Sequence, residues 1–136
     1  MDLNHGTSTM HDNVSVQSAL QVMQAHIEAL NAGDEAKLAE TLHFPHYRLN
    51  ETGMTVWETP DSYFADFRAR AGVGWHRSSF EDINVVHASD TKVHLDADVR
   101  RYDKEDRLIQ SFRSLWVLTC ADERWAAQLR STFAPK

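Results

Sequence analysis

Apolar residues recur at spacings of three and four through Val16, Leu20, Met23, Ile27 and Leu30, the period of an amphipathic helix. Ser15 stands where an N-cap belongs, and Gly33 in Asn31-Ala32-Gly33 suits a left-handed helix end. A shorter helix follows from about Asp34, carrying Ala36, Leu38, Ala39 and Leu42, with Pro45 expected to stop it. From Tyr47 the period falls to two. Tyr47 and Leu49 alternate with polar neighbours, Thr52-Gly53 reads as a turn, and Met54–Trp57 completes a small hairpin. Thr59 and Pro60 then form an N-cap and first-turn pair for a third helix, with Tyr63, Phe64 and Phe67 as its stripe and Ala71-Gly72 as its end.

The remainder reads as four long strands. Trp75–Ala88 carries Ile83, Val85 and Val86. Lys92–Asp103 alternates cleanly, with Val93, Leu95, Ala97 and Val99 on one face and His94, Asp96, Asp98 and Arg100 on the other. Leu108–Cys120 is long and largely apolar, and Arg124–Phe133 sets Trp125, Ala127, Leu129 and Phe133 on one side. Helices followed by hairpin-linked strands predict an α+β domain with three helices packed on an antiparallel sheet. Strands this long bend, commonly at bulges, so the sheet is expected to curl around the helices into a half-cone with a mostly apolar cavity.

At 136 residues the chain has the length of one domain. Met1–Asn13 is polar and reads as a flexible arm ahead of a single domain over 14–136. It has no basic cluster leading into an apolar run, and no stretch of 18 apolar residues follows, so a cytoplasmic protein without a membrane segment is expected. The net charge of −6 gives no broad attraction to nucleic acid. Cys120 is the only cysteine, which excludes an intrachain disulfide and a cysteine-based zinc site. His5 and His11 in the arm do not fix a coordination geometry, and His94, Asp96 and Asp98 on one strand do not converge as ligands, so no metal is expected.

Several strings carry a family resemblance: the Ala29-Leu30-Asn31-Ala32-Gly33-Asp34 helix break, the Phe44-Pro45-His46-Tyr47 strand entry, and Glu123-Arg124-Trp125 leading to Arg130-Ser131-Thr132-Phe133. With the element order, they make the chain resemble the nuclear-transport-factor-2-like (NTF2-like) superfamily, which includes SnoaL-like cyclases, ketosteroid isomerases and scytalone dehydratases. The resemblance implies a cone-shaped, cystatin-like α+β barrel, a homodimer through the outer sheet face, and chemistry without metal or organic cofactor. The isomerase carboxylate base does not carry over: the matching stretch is Leu49-Asn50-Glu51, and no tyrosine lies on the first helix, where His26 is the one aromatic polar residue.

Candidate chemistry therefore rests on other residues. His43 and His46 are expected at the rim where the second helix gives way to strand, with Tyr47 beside them. Histidine titrates near pH 6.5 and suits general acid–base work. His87 shares a phase with Ile83 and Val85, hence the inner face if no bulge intervenes. Arg101 continues the apolar row of its strand, and Arg113 precedes Leu115 and Val117 at spacing two. An arginine on such a row needs a carboxylate, a water-filled cavity or an anionic ligand. Trp57, Phe64 and Trp116 are candidate pocket aromatics. The sequence thus predicts a small-molecule-binding domain for a largely apolar ligand with one polar or anionic end. The catalytic alternative is a cofactor-free dehydratase, isomerase or cyclase acting on a polyketide- or steroid-like substrate. It uses His46, Tyr47 and His87, with His43, Trp57, Phe64, Arg101, Arg113 and Trp116 as ligand contacts, and it requires at least two of the polar groups to face one cavity.

Overall fold

The structure is a computed structural model and describes residues 10–70 and 74–134. The elements run α1 Met10–Ala32, α2 Glu35–Glu40, β1 Leu42–Asn50, β2 Gly53–Trp57, α3 Pro60–Arg70, β3 Arg77–Ala88, β4 Lys92–Tyr102, β5 Leu108–Ala121 and β6 Arg124–Thr132. Three helices on one six-stranded sheet make the α+β architecture that the pattern predicts. Helix α1 starts earlier than the pattern suggests: Ser15 is buried inside the helix rather than capping it, and residues 10–13 are helical rather than part of an arm. The rest of that arm, with His5, lies outside the described residues, as does the expected Ala71-Gly72 helix end.

Helix α1 closes as its sequence prescribes. Gly33 has φ +69°, the Asp34 amide donates to the Ala29 carbonyl at 3.0 Å, and the Gly33 amide donates to Leu30 at 3.2 Å. This is a Schellman end, made at no steric cost because glycine has no Cβ. Asp34 then caps α2 by accepting from the Lys37 amide. Thr59 caps α3 through the Ser62 amide.

The strand order is β2-β1-β6-β5-β4-β3. The sheet is mixed rather than wholly antiparallel, because β1 runs parallel to β6. Pro45 does not stop α2; it lies within β1 after a cis Phe44–Pro45 bond. Having no N–H to give the ladder, it falls where the β1–β6 register shifts, between Leu42 and Tyr47.

Cross-strand neighbours share a face, so register decides what points inward. Along β4 the expected row holds: Val93, Leu95, Ala97 and Val99 are buried. In β3 the register shifts between Glu81 and Asn84 and again between Val85 and His87, and Val85, Val86 and His87 end up exposed. In β6, Leu118 of β5 pairs with Ala127 but the next residue back, Val117, pairs with Leu129. Gln128 is therefore the extra residue of a bulge. Its side-chain amide donates to the Pro45 carbonyl at 2.7 Å. Before the bulge Ala127 is buried in the core; beyond it the face inverts. Arg130 and Thr132 pair with the inner Trp116 and Ser114, and Phe133, expected inside, is 65% exposed.

The core joins Ala19 and Met23 of α1 to Leu38, Leu42, Leu95, Leu118 and Ala127. Replacing Leu95, fully buried, by Ala is expected to destabilise the protein by about 2–5 kcal/mol in urea titrations. Val86→Thr, on the exposed part of β3, is expected to stay within about 0.5 kcal/mol.

Candidate functional site

A cavity of about 180 Å³ opens between α1, α3 and the inner sheet face. Its apolar wall is built by Ile27, Leu30, Phe67, Phe80, Phe112 and Trp116. Three guanidinium groups line it, Arg48 of β1, Arg101 of β4 and Arg130 of β6, and the described lining residues include no carboxylate. Each arginine arrives by strand phase. Arg48 and Asn50 take the inward phase of β1, Arg101 extends the Val93–Val99 row, and Arg130 is turned in by the Gln128 bulge.

Arg130 sits over the Trp116 ring at 5.1 Å and over Tyr63 at 6.0 Å, and it donates to the Tyr63 hydroxyl at 3.4 Å. Aromatic faces hold the cation by their quadrupoles. Arg101 donates to Gln110 Oε1 at 2.8 Å, and burial lowers its pKa from the usual arginine value.

His26 of α1 forms part of the wall. Its ring stacks at 6.2 Å from Phe80 and meets Trp116 edge-on at 5.0 Å. Nδ1 lies 2.8 Å from Thr41 Oγ1, whose own proton goes to the Leu38 carbonyl at 2.6 Å. Burial, then the charge of Arg130, then His46, push the His26 pKa from 6.5 down to about 3.

The residues nominated from sequence are dispersed. Arg101 and Trp116 line the cavity. His43 and His46 stand inside β1, not at a helix–strand rim. His43 bridges strands, donating from Nε2 to the Thr119 carbonyl at 3.0 Å and accepting from Arg124 at Nδ1. His46 is wholly buried behind the wall: Nδ1 donates to the Ala127 carbonyl at 3.0 Å and the ring stacks 6.1 Å from Trp57. Its pKa is also driven from 6.5 to about 3, chiefly by burial and next by Arg130. Tyr47 takes the opposite phase to Arg48. His87 is exposed because the β3 register shifts intervene. Trp57 and Phe64 are core residues, with Trp57 Nε1 donating to Asp66. Arg113 is out of phase with Trp116 and faces outward, paired with Asp96 and with Asp82.

Sequence reasoning passed over Arg48, Arg130 and the role of His26. The signal for His26 was present, since position 26 falls three after Met23 and four before Leu30 on the α1 stripe. Arg130 carried no such signal, because a simple alternation puts it outside. Among the described residues, no group of three or more His, Cys, Asp or Glu side chains could hold a metal ion, and no helix is long and apolar enough to cross a membrane.

No protein-family model matches the chain, and no curated protein matches it. Solved structures do. A protein of unknown function with a cystatin-like fold from Nostoc punctiforme aligns over 99% of this chain and 96% of its own, with TM-score 0.74 at 12% identity. An NTF2-like protein of unknown function from Pseudomonas putida aligns over 90% and 88%, with TM-score 0.72 at 12% identity. A candidate scytalone dehydratase from Novosphingobium aromaticivorans aligns over 92% and 87%, with TM-score 0.69 at 13% identity. The chain has the cystatin-like fold of the NTF2-like proteins.

The two lowered histidine pKa values set a pH window. Both imidazoles are neutral when folded and take up a proton on unfolding below about pH 6.5, so stability is full above that pH and falls toward pH 3. Between pH 6 and 5 each is expected to remove about 1 kcal/mol per pH unit from the unfolding free energy. His26→Gln and His46→Gln should each flatten the slope by about one proton in urea titrations across that interval. A wild-type slope of zero would show that both rings protonate in the folded state.

Proposed function

We propose that the cavity binds a small aromatic molecule carrying a carboxylate or a comparable oxyanion. The observation that carries this reading is the lining itself: Arg101, bonded to the neutral Gln110 amide, and Arg130, held over Trp116 and Tyr63, face the cavity with no carboxylate among the described lining residues, in a chain whose net charge is −6. The charge of these two guanidinium groups is answered by an incoming anion, and Arg donors suit planar oxyanions. Trp116, Phe80, Phe67 and Phe112 supply the apolar surface.

Size narrows the ligand further. Cavities of about 150 Å³ accept benzene, and this one is about 180 Å³. A single ring with its substituents fits, which places the ligand below the size of a four-ring steroid skeleton. Binding is favoured over catalysis because His46, Tyr47 and His87 do not line the cavity, and His26, with a pKa near 3, is a poor proton acceptor at neutral pH.

The test is calorimetric titration with benzoate. Saturable binding is expected, weakened at least tenfold in Arg130→Gln and less in Arg130→Lys. Equal affinity in wild type and Arg130→Gln would overturn the reading. Because Arg130 makes no ion pair with a described residue, Arg130→Gln should keep or raise the urea midpoint.

We further propose a homodimer joined through the outer sheet face, where Asp96, Asp98, Arg100 and Arg113 form a grid of ion pairs. Sedimentation equilibrium is expected to return twice the chain mass of 15.6 kDa. A concentration-independent mass of one chain would overturn it.

A further inference from the structure

The polar groups on the cavity wall are not all cations. Thr41 has one hydroxyl proton, and the Leu38 carbonyl receives it at 2.6 Å. Toward His26, 2.8 Å away, Thr41 Oγ1 can only accept. Nδ1 of His26 therefore carries the ring proton, and Nε2 carries a lone pair. Among the described residues the hydrogen bond of His26 runs through Nδ1, and His26 is a wall residue of the cavity, so Nε2 is the ring atom left for a ligand. The surroundings keep it that way. The ring is 3% exposed, Arg130 of β6 and His46 of β1 repel a second proton, and Phe80 of β3 and Trp116 of β5 cover it with apolar surface.

Neighbouring lining groups are occupied or donate. Asn50 Oδ1 accepts from the Thr52 amide and hydroxyl. Ser114 and Thr132 bond each other at 2.5 Å. Guanidinium groups have no acceptor to offer. The wall thus pairs a cationic corner, where Arg130 lies over the Trp116 indole, with a fixed acceptor beside the same indole.

We infer that His26 reads a hydroxyl group on the ligand, so that the site selects hydroxyaryl carboxylates over the parent acids. This deepens the anion-binding reading and rests on it. The carboxylate meets the arginines, the ring lies among Trp116, Phe80 and Phe112, and the hydroxyl donates to His26 Nε2. A buried acceptor left without a donor is costly, so a site built to receive an O–H discriminates against a ligand that lacks it. Thr41 is a positioning residue: it holds the tautomer and touches no ligand.

The experiment compares wild-type affinities for benzoate, the three isomeric hydroxybenzoates and their methyl ethers at pH 7. At least one hydroxybenzoate is expected to bind tenfold or more tighter than benzoate, and its methyl ether no tighter than benzoate. The ratio of benzoate to hydroxybenzoate Kd should fall to about one in His26→Phe and several-fold in Thr41→Val, which frees the ring to take the other tautomer. If His26→Phe does not fold, the methyl ethers in wild type and the Thr41→Val ratio decide. Hydroxybenzoates and methyl ethers that bind no differently from benzoate overturn this inference and leave the anion-binding reading standing. A hydroxyl preference undiminished in His26→Phe overturns the assignment to His26. Failure of every compound to bind overturns both readings.

Discussion

One extra residue in β6 governs the interior. Pairing steps from Leu118–Ala127 to Val117–Leu129, and Gln128 is left over. Without it, the alternation that buries Ala127 would continue to Leu129 and Phe133, and the sheet would close on an apolar core. With it, a guanidinium enters where a leucine would have packed. The bulge is secured by Gln128 donating to the Pro45 carbonyl on the neighbouring strand, so the irregularities of β1 and β6 sit side by side and support each other.

That placement sets the electrostatics of everything nearby. Arg130 is the largest charged influence on both buried imidazoles, second only to burial itself. The histidines remain neutral because they are buried and, next, because the arginine is there, and the arginine is tolerated because Trp116 and Tyr63 offer their faces. A half-buried cation with no carboxylate partner among the described residues is seldom optimal for stability, and such arrangements persist where function needs them. The same logic separates the two histidines. His46 is enclosed by Trp57, Tyr63 and Phe44 and serves packing, while His26 shares its surroundings with open space.

The fold was legible in the chain because helix caps, turn residues and period changes are local signals. Gly33, Thr59-Pro60 and the β4 alternation act where they stand. The β4 row of Val93, Leu95, Ala97 and Val99, and Trp125 and Ala127 ahead of the β6 bulge, were legible for the same reason. The site was less so, because a bulge is a relation between two strands and leaves no mark on the alternation of either. His87 and Phe133 pointed inward only on the assumption of unbroken pleats, and Arg113 and Trp116 were assigned to one pocket although their parity forbids it. Arg101, on the one strand whose alternation continues to its end, landed where its row led. His43 and His46 were misplaced by reading Pro45 as a helix stop, when a proline can also sit at a ladder irregularity.

The topology has a bearing on synthesis. Strand β6 lies between β1 and β5, the first and the second-to-last strands made. Until residues 124–132 have emerged from the ribosome, the chain exists as two separate pieces of sheet, each with a bare edge, one packed by α2 on β1 and the other by α1 on β3 and β4. Exposed edges invite pairing with other chains, and contacts so distant in sequence form slowly. Translational stalling within the final strand would therefore leave a species prone to aggregate, and one in which the arginine-lined hollow has not yet been assembled.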